Sequence, residues 1–198
     1  MTRPVRRTAA CARLASPRRG PHLVVMSIDA TMALAVATAG SVANRRARRS
    51  SALTNILARQ QARAAALLHV APLPMRAARV ASLATDGAEI LYSEGFLLRT
   101  ISRMCEGPEC AVSAVLGMVA HELAHAYLHR DVLVHHYTLE LEADWIAGWV
   151  LGRAGVCPGD FIRVLEELIE TPTHPHPRYR AASVTQGFAR GTAARAVP

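Results

Sequence analysis

The chain has 198 residues, about half of them apolar, and a formal net charge of +8, which is enough for one ordinary domain with a real core. Residues 1–49 hold ten Arg against one acid, and residues 50–198 hold thirteen Arg against fourteen acids. The basic excess is therefore a property of the N-terminal quarter. A nucleic-acid footprint spread over a folded domain is unsupported, and the Ala- and Leu-rich composition argues against disorder and for helix.

Residues 1–21 are Arg, Ala, Ser and Pro without an apolar period and read as a basic leader. The run 23–43, "LVVMSIDATMALAVATAGSVA", has the length of a membrane span but carries Asp29. It admits a signal peptide, a single membrane anchor or a soluble helix, or a true start at Met26. Localisation stays open between membrane-associated or exported and cytoplasmic. The sequence divides into this leader, 1–49, and a domain over 50–198.

Composition predicts a helix over 50–69, closed by Pro72 and Pro74. The apolar runs 76–84 and 88–92 flank "TDG", a hairpin signal. A short helix follows at 94–104. Cys105 and Cys110 flank the turn-like "EGPE". A local disulfide is geometrically possible there, and a pair of reduced, partly buried thiols is the plainer reading; the sequence leaves the two open. Helices are predicted over 111–129 and 136–153, the second with Gly155 as its C-cap. Shorter helices over 159–170 and 178–187 lie either side of the Pro-stiffened "TPTHPHP". The outline is α+β: a small strand pair followed by helices.

The helix over 111–129 carries "HELAHAYLHR". Residues four apart share a helix face, so His121 and His125 can present their imidazoles to one Zn2+. Glu122, one residue round, can act as general base on a zinc-activated water. His129 lies about 12 Å along the helix from His121 and is a poor third ligand. Asp131 lacks the Gly that would turn the chain back. Glu140, in "ELEADWIAG", is the best candidate if the next helix packs antiparallel. Asp144 then shares its face and can orient His121 from behind, while Glu142 faces away.

With both segments in hand, the chain resembles the gluzincin metallopeptidases of the HtpX and CAAX prenyl endopeptidase type. The resemblance covers roughly 76–188 and rests on "HELAH", on Glu140-x-x-x-Asp144 and on "THPHPRYR" at 173–180. It implies a zincin-like fold, with the segment "ATDGAEILYSEGFL" supplying an edge strand for a peptide or protein substrate. It also implies that His174 and Arg180 approach the metal and stabilise the oxyanion, with His176 and Arg178 as competing donors. The long multiple membrane helices of some members are lacking, so prenylated substrates are not implied. The expected activity is that of a zinc endopeptidase holding one Zn2+ on His121, His125 and Glu140. The alternative is a metallopeptidase-like, metal-binding regulatory module.

Overall fold

The computed structural model describes residues 42–105, 108–128, 137–168, 171 and 174–196. The leader over 1–41, most of the apolar run, and His129 and Asp131 lie outside the described residues. Helix α1 spans Val42–Leu68, so it begins ahead of the expected boundary at 50. The "NRRARR" segment is built of residues compatible with helix and continues it towards the N-terminus. Its buried face, Leu53, Ile56, Leu57, Gln60 and Ala64, follows the helical period. It ends in a left-handed cap at His69 (φ 57°), where Val70 N–H donates to Ala65 O at 3.0 Å.

Three short strands follow: β1 Met75–Ala77, β2 Leu83–Thr85 and β3 Ile90–Tyr92, in the order β1-β3-β2. β2 and β3 form the hairpin signalled by Asp86-Gly87, with Thr85 opposite Ile90. Asp86 Oδ1 accepts from the N–H groups of Ala88 and Glu89, both at 2.9 Å, and Gly87 takes φ 87°. The predicted single strand 76–84 is in fact two. Its start, β1, pairs parallel to β3, with Met75 opposite Ile90. That leaves β2 paired on one side only among the described residues.

Helix α2, Glu94–Met104, starts where Ser93 Oγ accepts from Phe96 N–H at 3.3 Å. Its C-cap, Cys105, is joined to Cys110 by a disulfide, with the Cα atoms 5.2 Å apart. Of the two readings the sequence left open, the bonded one holds, and the plainer reduced pair is corrected. The end of α2 and the start of the next helix therefore lie within bridging distance of each other.

Helix α3, Pro108–Leu128, is the centre of the fold, and Val115, Leu116, Val119 and Leu123 are wholly buried. Its stretch Cys110–Leu128 is long and apolar enough to cross a membrane, but 78% of the apolar window is buried inside the protein. α1, β2, α4 (Tyr137–Ala154) and α5 (Gly159–Glu166) all pack on it. Gly117 admits Phe161 of α5, because a Cβ there would fall inside the aromatic ring. That contact lies one turn before His121.

α4 closes at Gly155 (φ 69°), with Val156 N–H bonded to Leu151 O at 2.9 Å. The last helix, α6, spans Pro177–Arg195, well beyond the predicted end at 187. Ser183 Oγ donates to Leu141 O at 2.5 Å, and Arg153 donates to Ala194 O at 2.6 Å. α4 and α6 therefore run parallel, with their N-terminal ends together. A Cβ at Gly148 would fall on the Val184 carbonyl oxygen, and one at Gly187 on that of Trp145. Glycines on both helices bring the two backbones into direct contact. The architecture is mostly helical with a small mixed sheet, an α+β class.

Candidate metal centre

α3 and α4 pack antiparallel, so the last turns of one face the first turns of the other. His121 and His125 from α3 thus meet Glu140 and Asp144 from α4. All four are buried, at 8%, 8%, 3% and 0% exposure. The Nε2 atoms of His121 and His125 stand 3.0 Å apart. Glu140 places Oε1 at 3.3 Å from His125 Nε2 and Oε2 at 3.6 Å from His121 Nε2. Two ligands about 2.0–2.1 Å from one tetrahedral ion stand roughly 3.3 Å apart, so these separations suit a shared cation. Ligand atoms of the three residues all lie within 4.8 Å of one another, and the group could hold a metal ion.

Two further observations fit a cation here. Glu140 Oε2 is buried without an aligned hydrogen bond, its ionic neighbour being the Arg180 guanidinium at 3.4 Å, which leaves lone pairs of the oxygen available to a ligand. The cluster also buries Glu140 and Asp144 against one guanidinium, that of Arg180. With neutral imidazoles it therefore carries a net negative charge.

Asp144 lies behind His121, with Oδ1 3.0 Å from Nδ1. The approach is close but off the hydrogen-bond line, since Nδ1 makes no aligned bond. Arg180, in the first turn of α6, donates from Nε to Asp144 Oδ2 at 2.7 Å and from Nη2 to Oδ1 at 2.9 Å. Its Nη2 is also 3.4 Å from Glu140 Oε2. Arg180 therefore reaches the cluster through its carboxylates, and Nε and Nη2 are committed to them.

Burial works to raise the Glu140 carboxyl, but the bond to His125 and the charges of His121 and Arg180 prevail and bring it to about 2. Burial likewise opposes ionisation of Asp144, and His121 and Arg180 overrule it and lower the pKa. His121 is raised: burial disfavours its charged form, and Asp144 more than compensates. Glu122 goes the other way. Enclosure of its carboxyl, helped by Glu140 and opposed by His121 and Arg180, raises it to about 7. That places its proton exchange near neutrality, as a general base needs.

Glu122 lines a narrow cleft together with His121, His174, Arg180, Leu83 at the start of β2 and Ser82 just before it. His174 stands at its mouth, about half exposed, with Nε2 3.8 Å from Glu140 Oε2. Of the competing donors, His176 is exposed, and its Nδ1 accepts from Arg178 N–H at the start of α6. Arg178 is exposed and lies over the Tyr179 ring at 4.5 Å. Neither is brought to the cluster. Glu142 is exposed.

Two residues of the site went unread in the sequence. Thr171 Oγ1 sits 2.9 Å from His174 Nδ1, and Tyr137 OH donates to Thr171 O at 3.0 Å. The available signal was a Thr three residues before a His, a pattern that favours a side-chain-closed turn. No protein-family model, curated protein or solved structure matches this chain.

Proposed function

We propose that this protein is a zinc-dependent endopeptidase with a zincin-like arrangement. The observation that carries the proposal is the convergence of His121, His125 and Glu140 beside a cleft that His121 lines together with Glu122 and the start of β2. A bound Zn2+ would polarise the scissile carbonyl and lower the pKa of water towards neutrality. The chain's own residues then have definite tasks. Glu122 takes a proton from the attacking water and delivers it to the leaving amine, for which a carboxyl near pH 7 is well poised. β2 offers unpaired backbone groups to an extended peptide, which could add as a further strand. His174, from the mouth, donates to the developing oxyanion. Arg180 holds Asp144 and Glu140 in place through Nε and Nη2 and also lines the cleft, from where it assists His174 at the oxyanion.

The test is a zinc assay beside a casein digest. The purified chain should carry about one zinc and cleave casein, and a chelator should stop the cleavage reversibly. Glu122→Gln should keep the zinc and lose cleavage. A folded chain that binds no zinc would remove the proposal, and zinc binding without cleavage would favour the regulatory-module alternative.

A further inference from the structure

A groove lies between α2 and α5, next to the metal cleft and joined to it. Its cavity volume is about 490 Å3, and its walls include Phe96, Arg99, Thr100, Arg103, Val164 and Leu168. Phe96, Val164 and Leu168 also line the metal cleft, so the two spaces share a floor. The cleft itself has a volume of only about 70 Å3, room for a handful of waters and little more. A substrate side chain beside the scissile bond needs somewhere larger. The groove falls within the range of pockets that bury small ligands, about 300–1,000 Å3.

Its charge is one-sided. Arg99 and Arg103 are four apart on α2 and so share the face that forms this wall. Arg103 is ion-paired with Glu167 on the opposite side. Glu167 neutralises that cation and would repel an anion near it. Arg99 is exposed and has no ion-pair partner among the described residues. Its Nη1 would lie only 3.2 Å from a Cβ at Gly95, so the guanidinium folds back over Gly95. That is the end of α2 that also carries Phe96, where groove and cleft join. An apolar floor with one unbalanced cation at the junction is complementary to a short side chain ending in a carboxylate.

We propose that the α2–α5 groove is a substrate subsite that selects an acidic residue, Asp or Glu, at one fixed position flanking the bond cleaved, with Arg99 as the selecting residue. The proposal rests on the peptidase reading and adds a substrate class to it.

The experiment measures binding and cleavage separately. Fluorescein-labelled Ala-rich decapeptides bearing Glu, Gln or Lys at every third position are titrated into the full-length Glu122→Gln chain at 0.1 M salt, and anisotropy is read. The Glu peptide should bind roughly five-fold tighter than the Gln peptide, the effect of one partly screened ion pair. The Lys peptide should bind more weakly than either. Arg99→Gln should bring the Glu-to-Gln ratio to one, and Arg99→Lys should retain part of it. Equal binding of the Glu and Gln peptides, or a preference unmoved in Arg99→Gln, overturns the subsite. In parallel, casein fragments produced by the native chain are sequenced. Cleavage without acidic enrichment at any position overturns the subsite alone. Acidic preference in binding that Arg99→Gln abolishes, with no cleavage, retains the groove as an acid-selecting site and removes the peptidase reading.

Discussion

Arg180 donates two hydrogen bonds to the Asp144 carboxylate, at 2.7 and 2.9 Å, and the two residues are only 3% and 0% exposed. A buried, bidentate pair of this kind is weak evidence for stability by itself, because both charges lost their water. Removing one partner is another matter. Arg180→Met strands Asp144 in the core and should cost about 3–5 kcal/mol in urea unfolding. The double variant Arg180→Met with Asp144→Leu should recover much of that loss. It should not recover zinc affinity, since His121 would still lack the carboxylate behind its Nδ1, an effect of about 10–100-fold. A double variant with native zinc affinity would refute the positioning role of the pair.

The pH dependence of the metal-free chain follows from two raised groups of opposite kind. His121 is raised by Asp144, so the stability it contributes is full below its ordinary value of 6.5 and is lost as pH rises through its folded value. Glu122 is raised from 4.5 to about 7 by burial. Between those values the folded chain binds a proton that the unfolded chain has released, so stability again falls as pH rises. The Glu122 part alone should amount to roughly 2 kcal/mol, allowing for the residue's partial exposure. Glu140, held at about 2, and Asp144, also lowered, act in the other direction. Their contribution is complete above the ordinary carboxylate range and is lost only as pH falls towards their folded values. Zinc needs bare imidazoles and carboxylates, so its stabilising effect should grow with pH. Calorimetry from pH 5 to 8 should show the gap in Tm between zinc-loaded and chelated protein widening. A constant gap would contradict the assignment of the protons.

Much of the site was legible because its spacing is helical. His121 and His125, and likewise Glu140 and Asp144, are four apart, and period alone puts each pair on one face. The antiparallel packing that joins the pairs needed only a short connection between two apolar helices. The sheet was less legible. Met75–Ala77 and Leu83–Thr85 lie in one apolar run, and nothing in a three-residue strand announces a parallel partner. The end of α6 was misread for a physical reason. Gly187 and Gly191 look like helix breakers in sequence, whereas here a Cβ at either would strike a carbonyl of α4. Their role exists only when the partner helix is present. The Cys105–Cys110 bond was similarly hidden, because it depends on how α2 ends and α3 begins.

That glycine contact makes a prediction of its own. α6 carries Arg180 at its first turn, so the spacing of α4 and α6 sets where the guanidinium sits. Gly187→Ala puts a methyl group onto the Trp145 carbonyl oxygen and must push the helices apart. Overpacking should cost about 1–3 kcal/mol, and zinc affinity should fall with it as Arg180 withdraws. Gly159→Ala is the control. It meets only ordinary contact, Cys157 Sγ at 3.7 Å, and should leave both stability and zinc binding near native. If Gly187→Ala lowered Tm without weakening zinc, the seam would be structural only.

The turn that carries His174 offers the clearest separation of catalysis from folding. Thr171 N–H donates to His174 O at 3.1 Å and His174 N–H to Thr171 O at 3.2 Å, and His174 N–H also donates to Thr171 Oγ1 at 3.1 Å, so two backbone bonds hold the turn even when the Thr oxygen is removed. The same Thr171 Oγ1 also meets the imidazole at Nδ1. Because Oγ1 accepts from His174 N–H, its own proton can go to Nδ1, which fixes the ring and favours a proton on Nε2, the nitrogen 3.8 Å from Glu140 Oε2. An Nε2–H donor is what an oxyanion requires, and a bare Nε2 would make His174 a metal ligand instead. Thr171→Val keeps the shape and the backbone bonds but removes the oxygen. It should leave Tm and zinc content near native and KM little changed, while kcat falls about ten-fold or more, since the lost interaction belongs to the transition state. Thr171→Ser should restore most of kcat. If Thr171→Val instead released zinc, His174 would be acting as a ligand and the oxyanion role would pass to another group.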